Sequence, residues 1–279
     1  MNKIGIMFNF TREPDFPGYI RKAQKMGFST CQFSVWKPEC YTDENAEMIR
    51  KSIEEADFEI SALWAGWSGP CKWNFTEGPK TIGLVPDEHR AERLKELKAG
   101  ADFAEKIGVN KIVTHVGFLP NDPEDERYKA TVEALRELCA YLKKKDMYFL
   151  FETGQETPVT LLRTIELIGL DNVGVNLDTG NLILYGMGNP VDAIDVFGKY
   201  VMGTHIKDGL YPTCGSELGR EVKVGEGRAN VKEVVKRLLA LGYDCPFTIE
   251  REISGDKQLE DITDTKKYLE ETIYPSLSK

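Results

Sequence analysis

The chain has 279 residues, 41% of them apolar and 29% charged, with 36 Lys and Arg against 45 Asp and Glu for a net charge of −9. That balance fits a folded protein with a large core, excludes disorder and collagen, and gives a surface that repels a phosphate backbone, so nucleic acid is not an expected partner. No apolar stretch nears the ~18 residues of a membrane span, and six scattered cysteines without a CxxC pair point to a reducing cytoplasm rather than to a disulfide framework or zinc knuckle.

The chain opens on KIGIMFNF (3–10), which reads as a first strand and not as the leader of an exported protein. Similar β-rich runs follow at FSTCQFSVW (28–36), FEISALWAGW (58–67), NKIVTHVGF (110–118), MYFLFETG (147–154), VGVNLDTGN (173–181), YVMGTHIKD (200–208) and PFTIERE (246–252). Between them lie charged segments with helical spacing. AERLKELKAGADFAEKIGV is the plainest, apolar at i, i+3 and i+4 and stopped by Gly108. Runs that are apolar throughout belong to strands covered on both faces, and the helices between them impose parallel order. Eight such units with no linker predict an α/β protein with one domain over residues 1–279, a single (β/α)8 TIM barrel. Successive runs start about 25 to 37 residues apart, except after the third and seventh, where the gaps are about 52 and 46. The two long connections, 66–86 and 209–230, fall on the face where barrels build active sites, and are candidate lids.

The last four runs each finish on a side chain that binds divalent cations: Glu152, Asp178, His205 and Glu250. Any one strand-end carboxylate can be satisfied by a Lys, an Arg or backbone amides. Four such residues at consecutive strand ends imply a shared positive partner, because an unpaired carboxylate at an apolar barrel mouth loses its hydration. Three carboxylates and one imidazole suit Mn²⁺ or Mg²⁺, with Co²⁺, Fe²⁺ and Zn²⁺ also accommodated. His115, at the end of the fourth run, faces the same mouth and is a candidate substrate contact, whereas His89 begins a charged helix and reads as surface. Trp64, Trp67 and Trp73, with Phe8 and Phe10, are candidates for an aromatic wall against a sugar, although aromatics serve packing more often. Lys207, Arg220 and Arg228 are the cations available to a phosphate near the second long connection, but neither GSELGR nor VGEGR matches a P-loop, so an unphosphorylated substrate is expected.

The Glu, Asp, His, Glu series, the LDTGN and THIKD segments and VGEGRANV resemble the xylose isomerase-like barrels, the sugar isomerase/epimerase superfamily that includes tagatose epimerases, hydroxypyruvate isomerase, inosose dehydratase and, more distantly, endonuclease IV. The likeness covers essentially the whole chain. It implies that Glu152, Asp178, His205 and Glu250 hold one divalent metal, commonly Mn²⁺, and that Glu152 and Glu250 flank the substrate as acid and base. Trp64, His115, Asn181 and Lys207 are the expected substrate contacts. The three-metal endonuclease site is His-rich, and three histidines cannot supply it. Ketose epimerases carry His three residues after the metal Asp and Arg six residues after the metal His, where this chain has Asn181 and Tyr211. The expected function is therefore a metal-dependent sugar isomerase or epimerase that enolises a keto-sugar or related polyol. A lyase or dehydratase acting on a keto-sugar, keto-inositol or keto-glycoside is the alternative, and a non-catalytic sugar-binding barrel is the alternative of another class. A small-molecule sugar or polyol is the expected partner, with homo-oligomerisation left open and no membrane involved.

Overall fold

The computed structural model describes residues 1–10 and 15–277. Strands β1 (Ile4–Asn9), β2 (Thr30–Val35), β3 (Glu59–Ala65), β4 (Lys111–Thr114), β5 (Tyr148–Glu152), β6 (Val173–Asp178) and β7 (Val201–Ile206) follow in turn, and a hairpin of β8 (Asp208–Leu210) and β9 (Arg220–Val222) precedes β10 (Phe247–Ile249). All but the hairpin are parallel and close into a ring in the order β1-β10-β7-β6-β5-β4-β3-β2. The seam pairs Ile4 with Phe247 and Ile6 with Ile249. This is the expected (β/α)8 barrel. Every residue of β2 and β6 is buried, as strands covered on both faces require.

The helices are α1 (Phe16–Lys25), α2 (Asp43–Ala56), α3 (Gly78–Thr81), α4 (Asp87–Lys106), α5 (Glu126–Lys143), α6 (Pro158–Ile168), α7 (Asn181–Leu184), α8 (Pro190–Phe197), α9 (Val231–Ala240), α10 (Asp256–Lys267) and α11 (Tyr274–Leu277). Thr42 and Thr157 cap α2 and α6 by accepting from Asn45 and Thr160 amides, and Pro158 and Pro190 stand at first-turn positions where no amide hydrogen is needed. Among the described residues, no helix is long and apolar enough to cross a membrane.

The structure departs from the sequence expectation in two places. The last run forms a strand only over Phe247–Ile249, so Glu250 stands one residue beyond it. The connection at 66–86 is held down rather than loose. Arg93 on α4, 1% exposed, donates to the carbonyls of Ser68, Pro70, Thr81 and Gly83 at 2.7–3.0 Å and lies 4.1 Å over the Trp67 ring. One guanidinium thus satisfies four backbone acceptors of an irregular segment.

Replacing Arg93 with Met leaves those carbonyls without donors. A loss of about 2–3 kcal/mol in unfolding free energy is expected, read from chemical denaturation, together with new protease cleavage between residues 66 and 86. Unchanged stability and protection would show that the segment holds itself down.

Candidate metal centre and active site

The barrel order sets Glu152, Asp178, His205 and Glu250 on four adjacent strands, β5, β6, β7 and the end of β10. Asp178 and His205 are direct partners in the β6–β7 ladder. His205 Nδ1 lies 2.9 Å from Glu152 Oε1, 3.4 Å from Glu250 Oε2 and 3.9 Å from Asp178 Oδ2. One donor atom from each of the four falls within 4.8 Å of all the others. Asp178 is fully buried; its Oδ1 accepts from the Gly180 and Asn181 amides at 2.8 Å, while Oδ2 makes no hydrogen bond. A buried carboxylate oxygen left open among three other ligand groups fits a divalent cation.

The charges confirm how far this cluster is from self-sufficient. Burial pushes Asp178 well above the usual carboxylate range, with Lys207 opposing. Burial works against the imidazolium form of His205, but Glu250, Glu152 and Asp178 outweigh it and raise the ring to about 9. Burial likewise opposes charge on Glu152, and His115 and His205 more than offset it, holding that carboxyl below its ordinary range.

Beneath the cluster a polar bridge crosses the lumen. β2 and β6 stand four places apart around the eight-stranded ring, hence opposite one another, and Gln32 Nε2 donates to Asn176 Oδ1 at 2.9 Å. Gln32 Oε1, 3.0 Å from His205 Nε2, accepts its hydrogen. That fixes one proton on Nε2, so the second proton of the ion-free ring lies on Nδ1, donated to Glu152 Oε1 at 2.9 Å, and is the one a cation would displace. Gly203 leaves room for the bridge, since a Cβ there would sit 2.4 Å from Asn176 Oδ1.

A cavity of about 460 Å³ opens above the cluster. Of the expected contacts, Trp64, His115 and Asn181 line it, as do Glu152 and Glu250. Lys207 does not. It is 1% exposed, and its Nζ lies 2.5 Å from Glu252, 3.3 Å from Glu250, 3.6 Å from Asp178 and 3.2 Å from Asn181 Oδ1. Among the aromatics, Trp73 edges onto His115 at 5.3 Å and Phe8 borders the cavity stacked on Tyr19. Trp67 and Phe10 are buried in the main core, Trp67 under Arg93 and Phe10 against Phe16 and Phe33, so neither walls the cavity. His89, on the first turn of α4, is half-buried rather than fully exposed. Trp36, Tyr185, Leu218 and Glu252 line the cavity without having been singled out in the sequence. So did Gln32 and Asn176 escape notice, although Asn176, two residues before Asp178, carries the period-two signal of a shared strand face.

The VGEGRANV segment has a structural task. The Asp208 carboxylate, 2% exposed, accepts from the amides of Gly209, Gly225, Gly227 and Ala229 at 2.9–3.0 Å. The segment is a cradle of backbone N–H groups already filled by the chain's own anion. A Cβ at Gly227 would sit 2.0 Å from that carboxylate. Arg220 and Arg228 are exposed and outside the cavity lining, and Tyr211 donates outward to the Gly188 carbonyl at 3.3 Å.

The family described as xylose isomerase-like TIM barrel matches residues 20–272. A xylose isomerase domain protein from Planctomyces limnophilus superposes with a TM-score of 0.90 at 31% identity, covering 97% of this chain and 96% of that one. A D-tagatose 3-epimerase-like protein shares the fold at a TM-score of 0.74 and 18% identity, covering 99% and 98% of the two chains. Other solved barrels of this fold include sugar epimerases. Among curated proteins, a 118-residue segment is 29% identical to an uncharacterized protein of Methanocaldococcus jannaschii, covering 41% of this chain and only 36% of that protein.

Because His205 keeps its proton up to about 9 without an ion and needs a bare Nδ1 to bind one, cation uptake near pH 7 must displace that proton. Mn²⁺ affinity is therefore expected to rise by up to about tenfold per pH unit between pH 6 and 8. Calorimetry in buffers of different ionisation enthalpy measures the released proton; a pH-independent affinity would exclude binding through Nδ1.

Proposed function

The chain belongs to the xylose isomerase-like TIM barrel family, and from that premise we propose that it is a divalent-metal-dependent sugar isomerase or epimerase acting on a keto-sugar or related polyol by enolisation. The convergence of Glu152, Asp178, His205 and Glu250 at the floor of the cavity carries this conclusion. When bound there, a divalent ion, Mn²⁺ before Mg²⁺, Co²⁺ or Zn²⁺ by the oxygen-rich donor set, would polarise a hydroxy-carbonyl and stabilise the charge of the ene-diolate. The chain supplies the rest. Glu152 and Glu250 both line the cavity, and the acid/base role falls to this pair, at least one of which takes the α-proton and returns it. His115 and Asn181 meet substrate hydroxyls, and the faces of Trp36 and Trp73 cover the sugar's C–H surface. Lys207 acts from below, through Asp178, Glu250 and Glu252.

Elimination from a keto-sugar or keto-inositol is the second possibility, favoured by one observation. At the two positions where ketose epimerases resemble one another, this chain has Asn181, engaged with Lys207, and Tyr211, which points away from the cavity. The phosphate-free expectation also gains support, because the amide cradle near the mouth is occupied by Asp208 and neither Arg220 nor Arg228 lines the cavity.

Three measurements test this. Mn²⁺-loaded protein in D₂O should incorporate deuterium into members of a keto-sugar panel; binding without exchange would point to a sugar-binding barrel. Glu152→Gln and Glu250→Gln should each lower kcat/KM by at least about 100-fold with the fold retained, metal content being measured in both. For matched free and phosphorylated sugars, kcat/KM should favour the free form; a 100-fold preference for the phosphate, about 2.7 kcal/mol, would overturn that part.

A further inference from the structure

Glu152 and Glu250 stand on either side of His205, yet their oxygens are engaged differently. Glu152 Oε1 faces the nitrogens, 2.9 Å from His205 Nδ1 and 3.8 Å from His115 Nε2. Glu152 Oε2 accepts the indole N–H of Trp64. Trp64 belongs to β3, two strands around the ring from β5, so this contact spans the mouth rather than following the ladder. Its ring is 3% exposed and held by Trp36 at 4.2 Å and by the edge of His115 at 6.0 Å. The indole has one donor and no acceptor, so the direction of the bond is not in question. Glu250 differs: it follows the end of β10, its side chain is 14% exposed against 3% for Glu152, and its Oε2 is shared between His205 and Lys207.

We propose that Trp64 is a positioning residue whose indole N–H holds Glu152 by Oε2, so that Oε1 alone is presented to the metal and Glu152 is withheld from substrate, leaving Glu250 as the carboxylate that reaches it. The half concerning Trp64 stands on geometry alone; the half concerning Glu250 rests on the enolisation proposed above. A charge-assisted N–H···O bond in a buried site is short and strongly directional, and a carboxylate held at both oxygens cannot swing to a substrate carbon. Inverting a stereocentre through two opposed carboxylates needs a free oxygen on each face. With one oxygen free on one face, the α-hydrogen leaves to Glu250 as a proton, its bonding pair forms the C=C of the ene-diolate and the carbonyl π pair passes to oxygen. The proton then returns from that same side to the former carbonyl carbon while the second hydroxyl's proton passes to the first oxygen, or a β-leaving group departs with its bonding pair. Of the outcomes open to the enolisation proposed above, one-sided proton transfer selects isomerisation or β-elimination over inversion.

Indole-¹⁵N labelling of the wild-type protein reads the bond directly. One tryptophan N–H, identified through its contacts with the Trp36 and His115 rings, should resonate well downfield of an exposed indole and stay there on saturation with diamagnetic Mg²⁺. Trp64→Phe, checked for its fold by thermal melting, should bind Mn²⁺ about 10- to 100-fold more weakly. A resonance in the exposed-indole range, or unchanged Mn²⁺ affinity in the folded variant, overturns the role of Trp64; the first readout stands even where the variant fails to fold. In D₂O, product deuterium should carry a single configuration. Deuterium in both epimers overturns the assignment to Glu250, and no exchange with any keto-sugar defeats the enolisation and that assignment together, while the indole and Mn²⁺ readouts still decide Trp64.

Discussion

Three carboxylates brought together in the mouth of a barrel, with little exposure to water, set the terms for everything around them. Asp178 is fully buried with one oxygen open, and the positive groups nearest to it, Lys207 and His205, are themselves buried. Such a cluster is costly unless charge is supplied, and the chain supplies only part of it. Lys207 balances the Asp178 and Glu250 side, and His205 balances the Glu152 side by keeping a proton that it would lose in water. A divalent cation bound there would substitute for that proton and satisfy the remaining oxygen in one step. The same arrangement therefore explains both how the ion-free fold tolerates its acids and why it should take up a metal.

What keeps the donors aimed is mostly polar chemistry in places usually filled by aliphatic side chains. The barrel interior has a small apolar cluster of Ala62, Trp64, Val113 and Leu150 along one side. On the other, Gln32 and Asn176 join hands across the lumen and pass an acceptor up to His205. An apolar pair would pack as well but would leave the imidazole free to choose its tautomer and rotate. Trp64 then links the two sides, apolar in its ring and polar at its nitrogen, which reaches Glu152.

The barrel was legible because parallel strands covered on both faces leave unbroken apolar runs, and those runs recur at helix-sized intervals. The cluster of Glu152, Asp178, His205 and Glu250 was legible because a strand tolerates a charged residue near its end far better than inside. The supports were not. Gln32 and Asn176 sit mid-run, where a polar residue looks the same whether it faces the lumen or a helix, and only ring closure brings β2 opposite β6. Aromatics carry little directional information: Trp67 and Phe10 went to the core, while Trp36, unremarkable in its run, turned to the cavity. VGEGRANV is similar to a family segment in letters, but its role depends on four amides from two stretches of chain converging on Asp208, a three-dimensional fact. The end of β10 came early because Glu250 leaves the ladder after a single amide bond to the Ile206 carbonyl.

The collar around Asp208 has a further consequence for how this barrel can change. Its amides tie residue 209 to residues 225–229, so the stretch between them leaves and re-enters the barrel at one fixed doorway. Within that stretch the β8–β9 hairpin carries Leu218 to the cavity, while the tip around Thr213–Glu217 is exposed. Lengthening a loop whose ends are already pinned costs little conformational entropy. Insertions and substitutions in the exposed tip, 213–217, can thus reshape the cavity rim without strain reaching His205, three residues before the collar. The segment behaves as an interchangeable cartridge: the chemistry at the bottom stays constant while the molecule admitted at the top is free to diverge.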